Sequence, residues 1–203
     1  MLGTLRRVVR AFGTKYAATL IIVYGINQGA GEALIEAATD YYLIDALRFN
    51  PNLAEAVRGF ARIPWQTKAL FGVASDLLPV NGLHRAPYAL LASAIGLLGN
   101  LFLTFLPTGS SSALAALLLL MTNVNFALPD VMVDATVAER SKLRPERTAD
   151  MQAVCWGALY ACSLPAYAIA GYVVAAAGPR PLIGVGIVTA GCVCVPAALR
   201  WSG

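Results

Sequence analysis

Apolar residues in this chain gather into blocks of about 20, the length at which a helix rising about 1.5 Å per residue crosses a hydrocarbon layer about 30 Å thick. A segment surrounded by lipid must satisfy its backbone from within, which leaves helices and closed barrels. A barrel needs short segments that alternate polar and apolar residues, and none of these blocks does so; the blocks therefore read as helices. Turn signals and charge clusters place six of them at about 16–38, 53–76, 87–106, 113–138, 151–176 and 181–200. Between them lie Phe49-Asn50-Pro51-Asn52, Pro79-Val80-Asn81-Gly82, Pro107-Thr108-Gly109-Ser110, the charged stretch from Glu139 to Asp150, and Gly178-Pro179-Arg180-Pro181. The expected fold is an all-α membrane protein, a single bundle of six transmembrane helices over residues 1–203.

Composition agrees. Of the 203 residues 58% are hydrophobic and 13% charged, proportions that no water-soluble fold of this size could bury. A net charge of +4 would raise the question of nucleic acid in a soluble protein, but here position matters more than total. With a cytoplasmic N-terminus, the inner segments hold Arg6, Arg7, Arg10, Lys15, Arg85, Arg140, Lys142, Arg144, Arg147 and Arg200, while the outer loops hold only Arg48 and Arg180. That asymmetry puts both termini in the cytoplasm and leaves no basic surface for nucleic acid. The first apolar stretch outruns the core of a signal peptide and is read as a membrane span. Cys155, Cys162, Cys192 and Cys194 fall inside apolar blocks at spacings that match no zinc or redox pattern. No nucleophile with a base, metal-ligand cluster or phosphate loop is present, so neither an enzyme nor a cofactor is expected.

Ionisable residues inside the spans are the informative ones, because each costs about 2.5–3.5 kcal/mol on insertion scales unless it finds a partner or water. The first span carries Glu32 and Glu36, and the second Arg58 and Arg62, each pair four apart and so on one helix face. For antiparallel neighbours this predicts two facing pairs, Glu32 with Arg62 and Glu36 with Arg58, the former deeper and nearer a cavity. Lys68 lies deeper still, with Asp130 and Asp134 of the fourth span as its candidate partners. Pro129 loosens the helix beside them, and Asn123 and Asn125 add polar groups one to two turns away.

The stretch RIPWQTKALFGVASDLLPVNGLHRAPY, from Arg62 to Tyr88, resembles the folate-biopterin transporter family of the major facilitator superfamily. Ile63-Pro64-Trp65 followed by Lys68 and Gly72 carries part of the match, and the loop with Asp76, Pro79, Gly82, Arg85, Pro87 and Tyr88 carries the rest. DVMVDATVAER, from Asp130 to Arg140, with Met151-Gln152 and Cys155-Trp156-Gly157 beyond it, is similar to the same family. The resemblance implies a carrier of twelve helices in two halves, with alternating access around a midplane site. It also implies folates, biopterin or related pterin conjugates as substrates.

On that reading Glu32, Arg62, Trp65, Lys68, Asp130, Asp134 and Trp156 are the candidate substrate-binding residues. Asp130 or Asp134 would accept the amino-pyrimidinone edge of a pterin, Lys68 or Arg62 would meet a folate glutamate, and Trp65, Trp156 and Tyr160 would stack on the ring. Gly72, Asp76, Gly82, Arg85 and Arg140 form the candidate gate, in which Asp76 pairs with Arg140 or another base at the end of the fourth span. Six spans leave the polar face toward lipid, so the expected partners are the bilayer, a small-molecule substrate, and either a second six-helix half or a homodimer partner. The alternative is a membrane interaction protein or an incomplete product derived from such a carrier. The plasma membrane is the expected location, with an organelle membrane as the alternative.

Overall fold

The computed structural model describes residues 2–201 and is helical almost throughout. Among the described residues, four helices are long and apolar enough to cross a membrane: Ala86–Phe105, Ser112–Leu143, Pro145–Ala177 and Arg180–Ala198. The six spans expected from sequence thus reduce to four on these criteria. The other two expected spans are helical but interrupted, and the interruptions have local causes.

A short helix precedes them all. Helix α1 (Leu2–Phe12) was not expected, and it exposes Arg6, Arg7 and Arg10 while burying Val8. Leu5, Val8, Val9 and Phe12 recur at the spacing of one helix face and pack on the core beneath. Gly13, at φ 89°, turns the chain between α1 and α2 (Thr14–Leu20). The run then continues through π-helical turns over Ile21–Glu32, α3 (Ala33–Tyr41) and further π turns over Tyr42–Ala46. Residues 14–46 therefore form one helical run with two changes of pitch.

The second run holds α4 (Pro51–Ala61), α5 (Ile63–Gln66) and α6 (Lys68–Leu77). Asn50 caps it by accepting from Leu53 N at 2.9 Å, with Pro51 following as the first helical residue. Pro64 has no N–H to continue the ladder, and the chain leaves helical geometry at Arg62 (ψ 0°) and again at Thr67 (ψ 9°). A tight turn follows, in which Asn81 and Gly82 take φ of 51° and 74° and Val80 and Leu83 exchange backbone hydrogen bonds at 3.0 Å. Asn-Gly suits that turn because both central residues need positive φ.

Helices α7 (Ala86–Phe105), α8 (Ser112–Leu143), α9 (Thr148–Ala177) and α10 (Arg180–Ala198) complete the bundle, with one 3-10 turn over Pro145–Arg147. Helix α8 runs five residues past its expected end at 138. Helix α7 packs between α8 and α10, α9 lies on the first run, and α8 also supports α4, α5 and α6. Small residues allow these approaches. A Cβ on Gly29 would meet Leu159 O at 2.6 Å, and one on Gly186 would meet Asn100 Oδ1 at 2.2 Å. Close backbone contact at small residues is how helices associate where lipid removes the hydrophobic drive.

Candidate functional site

The first run, α4 to α6, α8 and α9 together present a polar face. At its centre Lys68 Nζ lies 3.1 Å from Asp130 Oδ2, as the sequence predicted for one of its two candidate aspartates. The other oxygen, Asp130 Oδ1, accepts from Gln28 Nε2 at 2.9 Å. Asp130 itself is buried, whereas Lys68 is half-exposed and sits 5.7 Å from the Trp65 ring centroid. One turn along α8, Asp134 is exposed and accepts a short hydrogen bond from the Tyr24 hydroxyl. Tyr24 flanks Trp156 at 6.3 Å, and Trp156 stacks on Tyr160 at 6.1 Å.

The ion pairs toward the other end differ from expectation by one helical turn. Arg62 pairs with Glu36, not Glu32, and Arg58 pairs with Asp40 at 2.7 Å, not Glu36. The hairpin explains the shift. The first run extends to Ala46 and the second begins at Pro51, which places the connection farther along the chain than a first helix ending near 38 would. Glu36 also accepts from the Tyr167 hydroxyl at 3.0 Å. Glu32 has no ion pair among the described residues; it borders a cleft with Arg58, Arg62, Asn123 and Phe126.

Beneath the face, a proline has fixed a buried contact. Pro129 cannot donate to Asn125 O, the acceptor four residues earlier. Asn27 Nδ2 takes that carbonyl at 3.0 Å, and Asn125 Nδ2 donates back to Asn27 Oδ1 at 2.9 Å. Both asparagines are fully buried, so this bridge ties the first run to α8 directly behind the Lys68–Asp130 pair.

At the α1 end, Arg85 gathers the candidate gate. Its Nη2 lies 2.7 Å from Asp76 and 2.8 Å from Glu139, and its Nη1 donates to Ser75 Oγ at 2.6 Å. Burial pulls the guanidinium pKa down, but the hydrogen bonds to Glu139 and Asp76 outweigh it and leave the value raised. The expected partner of Asp76, Arg140, instead lies over the Tyr16 ring at 3.9 Å and near Phe12 at 5.6 Å. The correction is steric: Arg85 occupies the space between the ends of α6 and α8 that Arg140 was expected to span. Gly72 lies against Val131, whose Cγ1 a Cβ would meet at 3.3 Å, and Gly82 serves the Asn-Gly turn before α7. His84 is exposed in the loop before α7 and contacts Ser75 O through Nδ1 at 3.1 Å. Helix α1 joins this end through Arg7, which binds Asp150 at 2.7 Å. That hydrogen bond raises the Arg7 guanidinium above its ordinary value.

Tyr24, Gln28, Asn27 and Tyr167 were not singled out from the sequence. They stand inside apolar or mixed blocks where a tyrosine or amide carries no signal of its own. The spacing of Tyr24 and Gln28, four apart like Asp130 and Asp134, could have suggested that two turns of one helix serve two turns of the other.

A helical membrane protein with a paired charge at the middle of one polar face is the class that fold and site define. The chain belongs to the BT1 family, whose sequence model matches residues 28–201. Among curated proteins it is 36% identical over 136 residues to "Probable folate-biopterin transporter 2" of Arabidopsis thaliana, covering 67% of this chain and 27% of that one. It is 31% identical over 166 residues to "Probable folate-biopterin transporter 6" of the same plant, covering 82% and 33%. It is 33% identical over 126 residues to "Folate-biopterin transporter" of Synechocystis sp. (strain ATCC 27184 / PCC 6803 / Kazusa), covering 62% and 25%. The chain thus spans about a quarter to a third of the length of the curated relatives it matches. These relatives are named as transporters, in agreement with the expectation of a non-enzyme. No solved structure matches the chain.

Proposed function

We propose that this chain is one six-helix half of a twelve-helix secondary carrier of the major facilitator type, moving folate, biopterin or related pterin conjugates across a membrane. The observation that carries the reading is the Lys68–Asp130 pair, held by Gln28 on the open face of a bundle of apolar helices. Ionisable groups at that depth mark solute pathways when they line an accessible face, and the half-exposed ammonium does. The relatives' names supply the substrate class.

Six spans result if the interrupted runs cross the bilayer as well. Residues 14–46 are helical without a break in the chain and would extend about 50 Å at the α-helical rise. Residues 51–77 would cross with two changes of direction. Broken helices are tolerated in membranes where the freed backbone faces protein or a cavity. On the basic-residue count both termini face the cytoplasm, which puts the Arg85 cluster at the inner end of the bundle.

In this carrier Lys68 and Arg62 attract the anionic tail of the solute while Trp65, Trp156 and an aspartate of α8 take the ring. Glu32 is the carboxylate through which proton coupling would run, since it borders the cleft without an ion pair. Glu36, Arg58 and Arg62 are the charged groups that line the same cleft. Asp76, Arg85 and Arg140, with Gly72 and Gly82, hold the inner end in one of two states. A second six-helix half or a second copy would cover the polar face, and the plasma membrane is the proposed location.

The test is uptake of labelled folate and biopterin in cells lacking their own carriers, comparing this chain alone with the chain fused to a full second half. Uptake by the chain alone means a self-associating carrier, and uptake only by the fusion means one wall of a two-part site. Uptake by neither removes the pterin reading and favours a membrane interaction protein without transport.

A further inference from the structure

The sequence leaves two aspartates, Asp130 and Asp134, as equal candidates for a pterin ring; their surroundings do not. Asp130 is buried, and both its oxygens are engaged, Oδ1 by Gln28 and Oδ2 by Lys68. A ligand edge that offers two adjacent N–H groups needs both oxygens in one plane and open to approach. Asp134 meets that need better. It is exposed, one oxygen accepts from Tyr24, and the other carries no hydrogen bond among the described residues.

The hollow beside Asp134 also has room for a flat ring. It is open to the outside and is lined by Val137, Ala138, Ser141, Thr148, Gln152 and Trp156. Trp156 is half-exposed, and its Nε1 donates to Gln152 Oε1 at 3.1 Å, which fixes the plane of the indole. Tyr160 stacks behind it with an interplanar angle of 25°. Tyr24 links the two elements, because the ring that flanks Trp156 also carries the hydroxyl that orients Asp134.

We infer that Asp134, not Asp130, is the specificity-determining residue for the solute's 2-amino-4-oxopyrimidine edge, with Trp156 as its stacking platform and Tyr24 as the residue that positions the carboxylate. Asp130 then serves as the fixed counter-ion of Lys68. The inference rests on the carrier reading and deepens it. Its chemical signature is discrimination at one exocyclic group. Replacing the 2-amino group by a 2-oxo group exchanges a donor for an acceptor facing a carboxylate, and a site built to hydrogen-bond a donor rejects such a mismatch strongly.

The experiment is equilibrium binding of labelled biopterin to the full chain in lipid nanodiscs, competed by the 2,4-dioxo analogue bearing the same side chain. The wild-type chain should prefer the 2-amino compound by about tenfold or more, the order expected for one hydrogen bond to a charged group. Asp134→Asn should bring the two near parity, since the amide can donate to the 2-oxo group. Asp130→Asn should keep the preference whatever it does to absolute affinity. Equal wild-type affinity for the two compounds overturns the assignment without any variant having to fold, as does an intact preference in Asp134→Asn. Absence of wild-type binding to either compound, both in this chain and in its fusion to a full second half, removes the carrier reading itself, which separates the two failures.

Discussion

The bridge between Asn27 and Asn125 exists because Pro129 leaves a carbonyl without its helical partner, and that dependence can be measured. Asn27→Ala removes two interhelical hydrogen bonds. Such bonds in membrane proteins contribute about 0.6 kcal/mol each on average and up to about 1.7. The substitution also strands the Asn125 amide and carbonyl in a fully buried position, adding about 1–3 kcal/mol. The expected total is about 2–4 kcal/mol. In a Pro129→Ala background the new N–H at position 129 can return to Asn125 O, so only the amide is stranded and the same change should cost about 1–2 kcal/mol. A four-member cycle read by unfolding in mixed micelles would show a coupling of about 1–2 kcal/mol, beyond the additivity error of about 0.3–0.5 kcal/mol. Equal costs in the two backgrounds would refute the argument that the asparagine stands in for the missing backbone donor.

Lys68→Ala should abolish uptake by the working carrier while leaving membrane insertion intact, and normal uptake would remove Lys68 from the site. Glu32→Gln should preserve solute binding but uncouple uptake from an imposed proton gradient; a variant that still follows the gradient would move the coupling elsewhere. Asp76→Ala leaves Arg85 with Glu139 and Ser75 and should change cysteine accessibility at the inner end more than solute affinity, whereas an unchanged accessibility pattern would count against the latch. Arg7→Gln should raise amide exchange across residues 2–12 with no change in α8 or α10, and equal protection would show that apolar packing alone holds α1.

The sequence showed the helical class, the connections and the central ion pair because each rests on strong local rules. Depth alone narrowed the partners of Lys68 to Asp130 and Asp134, since few partners for a charge inside a span exist, and burial then selects Asp130. The outer pairs failed by one turn because antiparallel register depends on where the hairpin turns, and the first run continues to Ala46 through a change of pitch that no residue pattern announces. Arg140 was expected at Asp76 by position at the helix end, but Arg85, set at the start of α7, reaches both Asp76 and Glu139 first. Helix α1 was legible and missed: Leu5, Val8, Val9 and Phe12 form a helical stripe, but the arginines between them dominate the segment's composition.

The π-helical turns over Ile21–Glu32 set how the family can vary. Widened turns of this kind hold more residues per turn than α geometry, so they can lose a residue by closing to α turns without re-phasing the helices on either side. Tyr24 and Gln28 lie within them and Glu36 beyond. Removing one residue there would therefore leave Glu36 facing Arg62. A homologue with one residue fewer in this segment would keep its outer ion pairs, and only the residues inside the widened turns, Tyr24 and Gln28 among them, would shift against Asp134 and Asp130.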